Sequence, residues 1–293
     1  KIEENDPNDA KEVTPKNDIW IQSYGDYVNQ GKRGISNGYR ANIWGSVVGL
    51  DRLFMDGALR LGLAQGFGSS KIRSKDNHGQ TSIDSYQTGL YGEYQGLDSP
   101  YIFDAALTYG YNDYDNARYI NAGALQRTAS SDYNGHQFSS YFEAGYKIEK
   151  KGFDIIPLLA LDYTYLYLPG YAERGADSLN LTVNSQSYDS LQLGLGCRLS
   201  KAIETINSII TPELRFRYFY DVINDAQQTI ASFAGGGTSF ATSGFKPAPS
   251  SFNLGARIEF FNKKNITFLL DFDSSLKEDY YETGGSVTVK YSF

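Results

Sequence analysis

The sequence predicts an all-β fold: a twelve-stranded antiparallel β-barrel that crosses a membrane. Three observations carry that reading. Apolar and polar side chains take strict turns in one segment after another. In the last ten residues (GGSVTVKYSF), Val287, Val289, Tyr291 and Phe293 share one face while Thr288, Lys290 and Ser292 share the other. The composition is rich in Tyr (24), Phe (17) and Gly (30) but holds one Cys and one Met. No run approaches the roughly 20 apolar residues that a membrane-spanning helix needs, whereas alternating strands hide their hydrophobicity from window averages. Finally, the segments are joined by connections that alternate between short and long, the asymmetry expected of an outer-membrane barrel.

The broad bounds agree. A chain of 293 residues suits one barrel, and a formal net charge of −7 gives no reason to expect nucleic acid as a partner. The single cysteine, Cys197, excludes an internal disulfide and a cysteine-based zinc site. The chain starts at Lys1 without an initiator Met or a secretion signal, and is expected to be the carboxy-terminal piece of something larger or a mature fragment.

Residues 1–17 (KIEENDPNDAKEVTPKN) are polar and carry Pro7 and Pro15. Asp6 could cap a short helix over 7–13 with Pro7 in its first position, and a flexible linker fits equally well. This segment forms one unit, 1–17, and the barrel the other, 18–293. The strands are expected at 18–28, 38–50, 57–67, 81–94, 100–113, 135–148, 153–168, 186–199, 208–221, 249–261, 265–274 and 284–293. Short turns fall at 51–56, 95–99, 149–152, 200–207 and 262–265. Long loops are expected around Gly31, Ser74, Asn121, Arg174, Gly236 and Glu278. The stretch 153–168 (FDIIPLLALDYTYLYL) is nearly apolar throughout and contains Pro157, so a bulge or edge irregularity is expected there.

Alternation assigns the faces. Leu214, Phe216, Tyr218 and Tyr220 oppose Glu213, Arg215 and Arg217; Phe252, Leu254, Ile258 and Phe260 oppose Arg257 and Glu259. An Arg or Lys aimed into lipid at mid-depth costs about 2–4 kcal/mol, so charges belong on the wet inner side. The predicted pore lining is Arg40, Arg60, Glu143, Asp162, Arg198, Glu213, Arg215, Arg217, Arg257, Glu259, Asp271 and Asp273. Both signs are present, and cross-strand ion pairs in a hydrated lumen follow. Tyrosines gather near strand ends (Tyr109, Tyr111, Tyr114; Tyr163, Tyr165, Tyr167; Tyr218, Tyr220), where rings with a polar tip favour the lipid–water boundary.

The stretch Gly38–Asp51 (GYRANIWGSVVGLD), with its Gly49-x-Asp51 step before a tight turn, resembles the second strand of the autotransporter translocator domain. Ile19-Trp20 with Gly25 resembles that family's first strand, and the terminal Val-Lys-Tyr-Ser-Phe its last. The resemblance spans about residues 18–293. It implies a barrel with its amino-terminal segment threaded through the pore, and carriage of an upstream passenger to the cell surface of a Gram-negative bacterium. It also implies partners: outer-membrane lipids, periplasmic chaperones and a barrel-assembly machinery that reads the outward residues Val289, Tyr291 and Phe293. One barrel per chain is expected, without cofactor, metal or enzymatic activity. Residues 1–17 depart from the family pattern, being short and interrupted by prolines. Their Asn-Asp steps, including Asn17-Asp18, lack the local motif of the self-cleaving members.

Other chemistry is poorly supported. His136 near Ser139 or Ser140 is the one candidate for an esterase pair, and chance proximity explains it better. Asp113, Asp115 and Asn116 lack the dense pattern of a calcium loop. Gly235–Gly237 is followed by no helix or Gly-Lys-Ser/Thr, so it is no phosphate loop. Cys197 reads as a small lipid-facing residue. The competing functional reading is a stand-alone twelve-stranded channel for small solutes.

Overall fold

Period-two alternation commits each segment to extended backbone, and extended backbone in a membrane must satisfy its hydrogen bonds by closing into a ring. The computed structural model describes residues 17–34, 36–96 and 99–293, and shows that ring. Its strands are β1 (Asn17–Gln30), β2 (Tyr39–Phe54), β3 (Leu59–Ser74), β4 (Gly79–Gln95), β5 (Tyr101–Ala122), β6 (Leu125–Tyr146), β7 (Phe153–Leu168), β8 (Gln186–Ser200), β9 (Ile209–Ile223), β10 (Ser250–Phe261), β11 (Ile266–Lys277) and β12 (Tyr280–Ser292). Every neighbouring pair is antiparallel, and β1 pairs with β12 from Asp18↔Ser292 to Gln30↔Tyr280. Asn17 and Phe293 exchange backbone hydrogen bonds of 3.1 and 2.8 Å, so both chain ends of the barrel lie on the short-turn rim. Of the linker or pore segment expected over 1–17, residues 1–16, with the helix expected at 7–13, lie outside the described residues, and Asn17 is the first residue of β1.

The lipid-facing wall follows the alternation. Ile19, Ile21, Trp44, Val48, Leu50, Leu61, Leu63, Leu195, Leu214, Leu254, Leu270, Phe272, Val287 and Val289 are exposed apolar side chains on one face of their strands. Trp44, Phe67 and Tyr86 pack edge-on in one aromatic row (centroids 5.8 and 5.5 Å), and Tyr101, Phe103, Tyr146 and Phe142 form another near the opposite rim. Trp44 and Phe54 on β2 bracket ten residue steps, about 25 Å of height for a strand tilted by about 40°. That matches the apolar band of an outer-membrane barrel.

Three expectations need correction. First, the loops near Ser74, Asn121 and Glu278 are tight turns. β5 and β6 run for 22 residues each and meet across Gly123 and Ala124. Spanning needs only about 9–11 residues, so the surplus stands above the membrane as a paired hairpin. Its polar composition had the look of a loop because no lipid demands an apolar face there. Second, Tyr114 does not join the outer girdle. It faces inward and stacks on Tyr133 (4.9 Å), which stacks on Tyr171 (4.1 Å). Third, the irregularity near Pro157 is an interrupted ladder. β7 pairs with β6 from Tyr167 down to Leu158, and pairing resumes at Ile155 against the short strand Ile148–Lys150. Proline has no N–H for the intervening position. The register shift of this region lies at Leu191/Gln192 instead.

The long connections 169–185 and 224–249 build a second, four-stranded sheet over the outer mouth from Tyr171–Ala172, Leu181–Val183, Gln228–Phe233 and Phe240–Ser243. Arg118 of β5 clamps the first of these loops. Its guanidinium donates to both oxygens of Glu173 (2.9 and 2.5 Å) and to the Leu179 carbonyl (2.9 Å), while the Leu181 N–H donates to Glu173 at 2.8 Å. In the β3–β4 turn, hydrogen bonds from Asn37 (3.0 Å), His78 and Ser74 hold the Asp76 carboxyl well below the usual carboxylate range.

Candidate functional site

The site is the inner face of the ring, and its chemistry is set by which side chains the alternation turns inward. Eleven of the twelve charges expected there are on that face. Arg60, Glu143, Asp162, Arg198, Glu213, Arg215, Arg217, Arg257, Glu259, Asp271 and Asp273 each sit on the parity opposite to the exposed apolar residues of their strands. Arg40 does not. It shares the parity of Trp44, Val48 and Leu50, so it points outward near the outer end of β2, and it is solvent-exposed. The rule that turns charges inward acts only within the hydrocarbon band, and Arg40 lies beyond it.

On β5–β11 the inward charges interlock. Glu143, 2 % exposed, accepts from Arg217 (3.1 Å) and from the Tyr141 hydroxyl (2.6 Å) and lies 3.2 Å from Arg198, which also reaches Asp104 at 3.5 Å. Arg215, also buried, donates to Asp271 at 2.9 Å and Asp273 at 2.8 Å and lies 3.4 Å from Glu213. Arg257 adds a 2.7 Å bond to Asp271. Shared carboxylates of this kind repay desolvation only as complete networks. The Nε atoms of Arg198, Arg215 and Arg217 are buried and have no acceptor among the described residues. Asp162 lies apart, on a cavity of about 400 Å³ with Gln192, Phe219, Tyr39 and Lys277. Glu259 is set in register between Thr211 and Leu269 and joins no ion pair among the described residues.

A second cluster, at the seam between the first and last strands, went unrecognised in the sequence. Arg60 donates to Asp51 (2.6 Å) and Asp18; Lys290 of β12 lies 3.6 Å from Asp18. The Tyr91 hydroxyl donates to Asp51 (2.6 Å) and accepts from the Trp20 indole N–H (2.6 Å). Asp51 falls in the predicted turn 51–56 and Asp18 at the first position of the predicted strand 18–28, so neither reads in the sequence as part of the lumen. Gly49 explains the rest of the Gly-x-Asp step: a Cβ there would lie 2.3 Å from the Trp20 ring. The glycine makes room for the indole, and the aspartate two residues on holds the hydrogen-bonded chain that the indole begins.

The candidate pairing of His136 with Ser139 dissolves. His136 points outward, hydrogen-bonded to the Tyr109 hydroxyl at 2.8 Å, whereas Ser139 points inward to Thr164 at 3.1 Å. Gly235–Gly237 forms a turn between two strands of the outer sheet.

A closed ring of twelve antiparallel strands, greasy and aromatic outside and ion-paired inside, defines an outer-membrane β-barrel with a polar lumen. The family model described as "Autotransporter beta-domain" matches residues 19–273, and the chain belongs to that family: it is an outer-membrane translocator barrel of a Gram-negative bacterium. It is similar to outer membrane protein A of Rickettsia rickettsii, 25% identical over 97% of this chain and 13% of that protein. It is also similar to esterase EstA of Pseudomonas aeruginosa, 28% identical over 73% of this chain and 32% of that protein. Among solved structures, the translocator domain of the autotransporter NalP from Neisseria meningitidis superposes with a TM-score of 0.75 at 16% identity, covering 97% of this chain and 90% of that one. The chain thus spans under a third of the length of these two curated relatives.

Proposed function

We propose that this barrel carries an upstream passenger segment through its own lumen to the cell surface and then remains in the membrane as the anchor. The observation that carries the reading is the position of the β1 end. β1 begins on the short-turn rim, the periplasmic side, and its inward neighbours are the paired charges of the lumen. A segment joined to β1 at that rim reaches the outside by running up the bore, where residues 1–16 would lie. Its backbone there would meet inward side chains of both signs, Arg257 and Asp273 among the less buried of them.

The barrel acts in this reading as conduit and anchor, without catalysis of its own. The likeness to an esterase covers under a third of that protein and lends no esterase activity to this chain. One chain closes one ring and leaves no strand edge to share, which supports a monomer. The outward Val289, Tyr291 and Phe293 on the last strand are the surface offered to the assembly machinery, with periplasmic chaperones delivering the chain.

The test is surface exposure. The full-length reading frame is produced in a Gram-negative host, with and without residues 18–293, and intact cells are treated with external protease. The expected result is that the upstream segment is cut only when the barrel is present. Equal cutting without the barrel would contradict the proposal, as would an open, unplugged ion conductance of the whole chain in a planar bilayer, which is the behaviour of a solute channel.

A further inference from the structure

The outward position of Arg40 leads to a feature that passenger export does not use. Arg40 on β2 lies directly opposite Arg73 on β3, and Lys71 on β3 lies opposite Asn42 one row nearer the membrane. The parity of Trp44 on β2 and of Leu61, Leu63 and Phe67 on β3 turns all three cations to the outer surface of the wall, and all three are exposed. None forms an ion pair with a described carboxylate: Arg73 donates to Gln80 at 3.2 Å, and Asp84, the diagonal neighbour of Lys71 on β4, makes no ion pair with it. Two arginines face to face across a ladder repel each other, and they do so here on a chain whose net charge is −7. A long cationic side chain tolerates such a place where an anion lies between the two heads.

Height identifies the anion. The aromatic row of Trp44, Phe67 and Tyr86 marks the outer boundary of the apolar band. Arg40 is four residues beyond Trp44, which sets it about 10 Å higher on a strand tilted by about 40°. That is the depth of lipid headgroups, and the stems of Arg and Lys can run down the wall while their charges stay in that layer. Next to this basic facet on β4, the outward side chains opposite Lys71 and Arg73 are the uncharged Ser82 and Gln80; Asp84 lies one row nearer the membrane, in register with Ser69, and on β5 the outward Asp113 and Asp115 oppose Asp84 and Ser82. The outward charge of the β2–β3 wall is therefore positive, and that of the adjoining β4–β5 wall is negative.

We propose that Arg40, Lys71 and Arg73 form a binding site for the phosphate groups of an outer-leaflet lipid. Each guanidinium can take a phosphate oxygen pair, and the ammonium adds a third contact nearer the hydrocarbon. The seat holds the lipid against the β2–β3 wall above Trp44.

Equilibrium binding to the full chain in detergent micelles tests this, with three probes: purified lipopolysaccharide, the same glycolipid enzymatically dephosphorylated, and inorganic phosphate. The variants are the triple Arg40→Gln/Lys71→Gln/Arg73→Gln, the conservative Arg40→Lys/Arg73→Lys, and Arg52→Gln, which removes an outward cation at the opposite rim. Retention of the folded, heat-modifiable form on gels checks each barrel. Expected is a loss of at least about tenfold in lipopolysaccharide affinity in the triple variant, growing at low salt, with the Lys variant, which keeps the charge but loses the fork, between it and the parent, Arg52→Gln close to the parent, and the dephosphorylated probe indifferent to all. Equal affinity of parent and triple variant would overturn the site. So would an equal loss in Arg52→Gln, which would mean generic charge attraction, or full binding strength from inorganic phosphate alone, which would mean a free-anion site. Should the triple variant fail to fold, Lys71→Gln alone is expected to weaken lipopolysaccharide binding about threefold, and no change would overturn the proposal.

Discussion

Glu143 concentrates the residue-scale physics of this barrel. Its carboxylate is almost fully enclosed, yet it serves two arginines and a tyrosine hydroxyl from β6, β8 and β9. Glu143→Ala leaves Arg217 without its counter-charge and Arg198 with Asp104 alone, at 3.5 Å. The expected effect is a loss of about 3 kcal/mol in unfolding free energy, measured by denaturant titration of the barrel in lipid vesicles. An unchanged midpoint would show that lumen water screens the pair fully. Glu143 and its arginines could be placed inside from sequence, because lipid enforces alternation and a charge reveals its side. Their pairing could not, since it joins strands far apart along the chain. The Gly49-x-Asp51 step was legible as a pattern, but its cause, the Trp20 indole lying over Gly49, appears only once β1 and β2 are in register.

At the scale of elements, the outer half departs most from what the sequence suggests. Inside the membrane the strands carry a two-faced signature, apart from the nearly apolar 153–168, and all twelve spans were legible. Beyond it both faces meet water, so the extended β5–β6 hairpin looks like loop, and Arg40 escapes the inward rule. The clamp between Arg118 and Glu173 holds loop 169–185 against that hairpin. Glu173→Gln weakens a bidentate charge-assisted contact and is expected to speed proteolytic cutting within 169–185 at least severalfold while the thermal midpoint of the barrel stays within a few degrees. The check is limited proteolysis followed by mass spectrometry. A falling midpoint with no new cutting would place the role of Glu173 in the barrel and not in the loop.

For the whole molecule, function rests on sidedness and closure. An even number of strands brings Asn17 and Phe293 to one rim, which was legible from the strand count, while the seam cluster of Asp18, Arg60 and Lys290 that fastens the ring was not. Adjacent residues offer the most direct test: Phe219 faces the lumen, against the Gly194 position and the inner cavity, and Tyr220 faces lipid. A benzophenone amino acid is placed at one or the other in the full-length protein, and cells are irradiated. Position 219 should crosslink to the chain's own segment upstream of β1, and position 220 should not. Crosslinks to that segment from 220, or from neither position, would contradict passage through the bore.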